Sequence, residues 1–123
     1  MGEMRGRRVL IVDDYPLLRN VLRYRFEDEG FEVWEAADGD EAVRKAQELD
    51  PDLVILDFEM PVMNGCEAAR ALKKITPGLP MLMFTSDDEP DVKREARSSG
   101  ILGVCRKADG TEPLLANVNA LLA

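Results

Sequence analysis

The chain has 123 residues, of which 46% are apolar and 33% charged, with a net charge of −8. That length suits one domain around one hydrophobic core, and the balance is that of a soluble globular protein. There is no histidine, which excludes a histidine-centred triad and a histidine metal site, and the acidic balance argues against direct nucleic-acid binding.

The opening MGEMRGRR carries charge but no apolar stretch behind it, so residues 1–7 read as a frayed terminus rather than a signal peptide. RVLIV, 8–12, is a short buried strand ended by Asp13 and Asp14. In YPLLRNVLRYRFEDEG, Leu18, Val21, Leu22 and Phe26 fall near helical spacing and Gly30 stops the helix. FEVWEA, 31–36, alternates as a strand does. Asp38 is an N-cap, and Ala42, Val43, Ala46 and Leu49 give the next helix its apolar stripe until Pro51 breaks it. DLVIL, 52–56, is a continuous apolar run, the mark of a strand covered on both faces. A loop leads to a helix from Asn64 to Ile75, and Pro77, Gly78 and Pro80 punctuate the link after that helix. MLMF, 81–84, is a buried run ending at Thr85 and Ser86. Asp88 to Ser99 is a polar helix closed by Gly100, ILGVC at 101–105 is the last strand, and TEPLLANVNALLA is the last helix.

Five strand–helix units with short links imply an α/β fold, a doubly wound five-stranded parallel sheet with helices on both faces. No linker, composition shift or repeat divides the chain, so it reads as a single domain over 1–123 with its core at about 8–122. No apolar run approaches the roughly 20 residues of a membrane span, so the expected compartment is the cytoplasm, with no membrane partner. Cys66 and Cys105 read as small apolar fillers.

In open parallel sheets, ligands sit outside the carboxyl ends of the strands. The polar residues collect there: Asp13, Asp14, Asp57, Thr85, Ser86 and Lys107. Each alone is a turn residue or a cap; together they form a constellation. Crowded carboxylates repel unless a cation intervenes. All-oxygen donors without histidine or thiolate suit Mg²⁺. A carboxylate with a metal, a lysine and a hydroxyl is equipped to accept a phosphoryl group.

The motifs IVDDYP (11–16), VILDFEMPVMNG (54–65), MFTSD (83–87) and CRKADG (105–110) resemble those of the CheY-like receiver domain of bacterial two-component response regulators. The resemblance implies the flavodoxin-like (βα)5 sheet order 2-1-3-4-5, of which the chemotaxis receiver is a standard example. It implies a phosphorylation-dependent signalling switch in which Asp57 is the phosphoacceptor and Asp14 a direct Mg²⁺ ligand. Asp13 would hold the metal through water, and the Glu59 backbone carbonyl would complete its shell. Thr85 would bond the phosphoryl group and move on activation, the Ser86 backbone N–H would bind it, and Lys107 would pair with its oxygen. Met60, Pro61 and Gly65 match the loop that shapes the turn after the acceptor. The implied partners are a sensor histidine kinase or histidine phosphotransfer protein and a downstream target. The resemblance allows a homodimer through the face of the fourth helix, fifth strand and fifth helix, near Lys93, Arg94, Arg97 and Arg106.

Two positions depart from the family pattern. Val104 stands where members usually carry an aromatic switch residue, and Ala108 follows Lys107 where they usually carry proline. Whether the Lys107–Ala108 peptide is cis is not legible in sequence. Glu59 and Asp87 occupy positions that tune phosphoryl lifetime in the family. The alternatives are a receiver-like interaction module that is never phosphorylated and a haloacid-dehalogenase-like phosphatase. The phosphatase reading expects its Asp-x-Asp nucleophile on the first strand.

Overall fold

The computed structural model describes residues 6–87 and 89–123. The expected helix start at Asp88 and most of the expected frayed terminus, residues 1–5, lie outside the described residues. Arg7 already carries a ladder bond, its carbonyl accepting from the Glu32 N–H at 2.9 Å.

Five strands, β1 (Arg8–Val12), β2 (Glu32–Ala36), β3 (Leu53–Leu56), β4 (Met81–Thr85) and β5 (Gly103–Arg106), alternate with α1 (Pro16–Asp28), α2 (Gly39–Leu49), α3 (Gly65–Ile75), α4 (Pro90–Ser98) and α5 (Thr111–Leu122). The strands pair in parallel in the order β2-β1-β3-β4-β5, as expected. β3 and β4 are buried at every residue. Alternate side chains of the central strands enter two cores. Val9, Ile11, Leu53, Ile55, Leu82 and Phe84 pack with Leu22 and Phe26 of α1 and Leu114, Leu115 and Val118 of α5. Leu10, Val12, Val54, Leu56, Met81 and Met83 pack on the other face with α2, α3 and Ala96 of α4.

Both strands expected to open on an apolar residue after a glycine start later. Gly30 and Gly100 each have φ of +94°. The Gly30 N–H donates to the Glu27 carbonyl and Phe31 N–H to the Phe26 carbonyl; Gly100 N–H donates to Arg97 and Ile101 N–H to Ala96. These are Schellman closures, in which the residue after the glycine bonds back into the helix and packs on it. The Phe26 and Phe31 rings lie 5.5 Å apart. Phe31 and Ile101 therefore close α1 and α4 rather than open β2 and β5, and β5 runs to Arg106. Val21, expected in the core stripe of α1, is instead 53% exposed; only Leu22 and Phe26 of that helix are fully buried. Asp38 caps α2 as expected, accepting from the Glu41 N–H at 2.8 Å.

The loop after β3 is held tightly. Asn64 and Glu67 form a reciprocal capping box at the start of α3. Just before it, the Met63 N–H donates to the Pro61 carbonyl at 2.8 Å. Val62 between them has φ of +71° and is 89% exposed. A bond across one residue at positive φ is a γ-turn of the strained kind, and a β-branched residue fits it poorly. Val62→Asn is expected to raise stability by about 1 kcal/mol, since asparagine tolerates the left-handed region. Chemical denaturation checks this, with the midpoint moving up; an unchanged or lower midpoint would show that the turn stores no such strain.

Candidate functional site

The order of the sheet reverses beside β1, so the ends of β1 and β3 lie next to each other at the crevice where ligands enter such sheets. The ladder runs one step past the strands: the Asp13 N–H donates to the Ala36 carbonyl at 3.1 Å and the Asp57 N–H to the Val12 carbonyl at 3.0 Å. Two rigid strands thus deliver Asp13 and Asp57 to one place. Asp13 is 3% exposed and Asp57 7%, while Asp14 is exposed. Each of these three residues offers a carboxylate oxygen within 4.8 Å of the others.

Lys107 answers this crowding. It opens the short 3-10 turn Lys107–Asp109 directly after β5, one residue closer to the strand than the sequence suggests. Its Nζ lies 2.9 Å from Asp13 Oδ2 and 3.3 Å from Asp57 Oδ2. No described peptide bond is cis, so Lys107–Ala108 is trans. Thr85 ends β4 fully buried, and its Oγ1 accepts from the Asp87 N–H at 3.1 Å. Ser86, the next residue, is exposed, Glu59 is exposed in the loop after β3, and Val104 is half-buried on β5.

The charges show the strain of this arrangement. Burial pushes the Asp57 carboxyl above its ordinary value and the nearby Asp13 charge adds to this, against the pull of Lys107 and a hydrogen bond from Thr85. Burial alone would lower the Lys107 ammonium, but the hydrogen bond to Asp13 and the charges of Asp57 and Asp13 outweigh it, so its pKa is raised. The donor set tests well for a cation. Three clustered oxygen ligands with no soft donor match a hard divalent ion, and an extra positive charge there would relieve the repulsion that lifts Asp57.

Gly65 closes the back of the site. Its N–H donates to the Phe58 carbonyl at 2.8 Å. A Cβ there would lie 2.2 Å from the Asp57 carbonyl oxygen, so no other residue lets α3 start this close to the acceptor strand. Sequence reasoning named Asp13, Asp14, Asp57 and Lys107, which the fold brings together, but not Arg19 or Glu35. Arg19 donates from Nη1 to the Asp13 carbonyl at 2.7 Å and from Nε to Glu35 Oε1 at 2.9 Å. The one signal was the six-residue step from Asp13 to Arg19, which sets Arg19 about a turn into α1.

Residues 9–119 match the response regulator receiver domain family. The chain belongs to that family. It is 39% identical over 103 residues to the chemotaxis protein CheY of Halobacterium salinarum, covering 83% of this chain and 85% of that protein. The solved structure of Vibrio cholerae CheY4 superposes with a TM-score of 0.89 at 36% identity, over 94% of this chain and 98% of that one. The Thermotoga maritima response regulator TrrA, solved in complex with Mg(2+)-BeF, gives a TM-score of 0.85 at 30% identity, over 94% and 98% of the two chains. The chain spans only about half the length of other curated relatives it matches. As a receiver, it is the phosphorylation-dependent switch of a two-component system. The candidate nucleophile directly follows β3 rather than β1, which also sets it apart from the phosphatase reading.

An acid whose pKa is higher folded than unfolded holds its proton more tightly in the folded state. The stability it contributes is complete below the ordinary aspartate value, about 3.9, and is lost as pH rises through the raised value. At neutral pH the metal-free Asp57 charge is therefore a cost. Asp57→Asn is expected to stabilise the metal-free protein at pH 7 and to raise its Tm. The gain should shrink as the pH is lowered toward 4. Thermal melts across that range check it; a destabilised Asp57→Asn protein at pH 7 would contradict it.

Proposed function

We propose that this chain is one receiver domain that accepts a phosphoryl group on Asp57 from a histidine kinase or histidine phosphotransfer protein. The observation that supports this best is the pairing of a buried, charge-crowded Asp57 with Lys107 Nζ at 3.3 Å and a hydrogen-bonding Thr85 beside it. An oxygen of the Asp57 carboxylate attacks phosphorus; the bond from phosphorus to the donor imidazole nitrogen breaks as the new P–O bond forms, and that nitrogen keeps the electron pair. The segment contains no histidine, so the phosphohistidine comes from outside it. Asp13, Asp14, Asp57 and the Glu59 carbonyl would hold Mg²⁺. When bound, the ion supplies positive charge against the phosphoryl oxygens. Lys107 pairs with one phosphoryl oxygen, and Thr85 and the Ser86 N–H bind others, drawing Thr85 inward. Small phosphodonors serve as well, so that the domain catalyses its own phosphorylation and later hydrolysis, with Glu59 and Asp87 setting the lifetime.

The expected compartment is the cytoplasm. Among the described residues no helix is long and apolar enough to cross a membrane, and the net charge of −8 disfavours direct nucleic-acid contact.

Downstream, the face of α4, β5 and α5 would meet a target protein or a second copy. Of its four expected cations, Arg94 pairs with Asp91 and Arg106 with Asp109. Lys93 and Arg97 instead line a cavity of about 220 Å³ with Ile101, Leu102, Gly103 and Val104. The family's aromatic ring would stand at this place, so the switch here runs through Thr85 without a ring. Val104→Tyr is expected to change the ratio of target affinities between the phosphorylated and unphosphorylated forms. Equal ratios in variant and parent would remove any special role for Val104.

Intact-mass measurement after incubation with Mg²⁺ and acetyl phosphate tests the proposal. The parent should gain one phosphoryl group and Asp57→Ala none. Gain in both would move the acceptor elsewhere; gain in neither, with no Mg²⁺ binding, would favour a module that is never phosphorylated.

A further inference from the structure

We infer that Arg19, clamped by Glu35, is a positioning residue for the cation site, fixing the Asp13–Asp14 peptide from behind without touching the reacting atoms. The inference rests on the reading of the acidic cluster as a Mg²⁺ site.

Asp13 is pinned at every polar atom. Its N–H bonds the Ala36 carbonyl, Oδ1 accepts from the Tyr15 N–H at 2.9 Å, Oδ2 meets Lys107, and its carbonyl accepts from Arg19. The last contact matters most for Asp14. The Asp13 carbonyl and the Asp14 N–H lie in one rigid peptide plane, so whatever fixes that oxygen also sets the direction in which Asp14 leaves β1. Asp14 is the exposed ligand of the three. Its carboxylate has no hydrogen-bond partner among the described residues to orient it.

Arg19 can hold that carbonyl because it is held itself. Its guanidinium bridges the carbonyl and Glu35, and the two side chains are only 17% and 22% exposed. Glu35 cannot swing away. Its second carboxylate oxygen accepts from Arg23 Nε at 2.6 Å, and its backbone carbonyl accepts from Lys45 Nζ. Lys45 in turn meets Glu41 at 3.3 Å, and Glu41 Oε1 accepts from the Ala37 N–H at 2.6 Å. A chain of charge-assisted bonds from α1, β2 and α2 thus ends on a single carbonyl at the edge of the site. Burial alone would raise the Glu35 carboxyl, but the bonds from Arg23 and Arg19 outweigh it and keep it ionised. Arg19 and Glu35 cancel in charge, so their effect on a bound cation is geometric. Groups that orient metal ligands in this way are worth about tenfold or more in metal affinity.

Calorimetric titration of the metal-free protein with Mg²⁺ at 25 °C tests this, using the parent, Arg19→Ala, Arg19→Lys and Glu35→Gln. Circular dichroism confirms that each variant is folded at that temperature. Arg19→Ala should weaken Mg²⁺ by about tenfold. Arg19→Lys should recover part of the loss, because an ammonium can reach one acceptor but cannot fork across two. Glu35→Gln should weaken Mg²⁺ to a smaller degree, since Arg19 then loses its charged clamp but not its carbonyl. Affinity equal to the parent's in folded Arg19→Ala would overturn the inference; should that variant fail to fold, equal affinity in Glu35→Gln does so. A parent that binds no Mg²⁺ would overturn the reading beneath it, and the inference with it.

Discussion

Like charge at close range is the constraint around which this protein is built. Parallel pairing of β1 with β3 forces Asp13 and Asp57 together, and each is almost wholly removed from water. Carboxylates so placed resist ionising unless positive charge is brought to them. Lys107 brings one such charge from the end of β5 and bonds both acids. The remaining repulsion, seen in the raised Asp57 carboxyl, makes the site receptive to a divalent cation and then to a phosphoryl group that can be held between cation and lysine. A site satisfied by its own side chains would have no such appetite.

The rest of the fold keeps that unfavourable cluster from relaxing. Strands buried on both faces cannot slide to separate the acids without exposing core residues such as Ile11, Ile55, Leu56 and Leu82. Behind the acceptor, the missing side chain of Gly65 lets α3 begin against the Asp57 carbonyl, and the capping box of Asn64 and Glu67 fixes where that helix starts. The turn at Val62 accepts an awkward backbone to make the connection. Strain at such a place persists only when the surroundings over-determine it.

Much of this was legible in sequence because it is local. Apolar runs gave the central strands, glycines and prolines gave the breaks, and the polar residues directly after strands 1, 3, 4 and 5 gave the site. Errors arose where one residue had two uses. Phe31 and Ile101 look like strand residues but close helices through the glycines before them. Val21 keeps helical spacing yet faces solvent, since Leu22 and Phe26 already fill the space under α1. Arg19 and Glu35 escaped notice for another reason. Sixteen residues separate them, and only the pairing of β1 with β2 brings them together behind Asp13.

Lys107 offsets part of what burial and the charge of Asp13 do to the Asp57 carboxyl. Carbon-13 NMR titration of the Asp57 carboxyl, without metal, in the parent and in Lys107→Met tests it most directly. Asp57 is expected to titrate above the ordinary aspartate value in the parent and higher still in the variant. Titration at the same pH in both, or at an ordinary value in the parent, would contradict it.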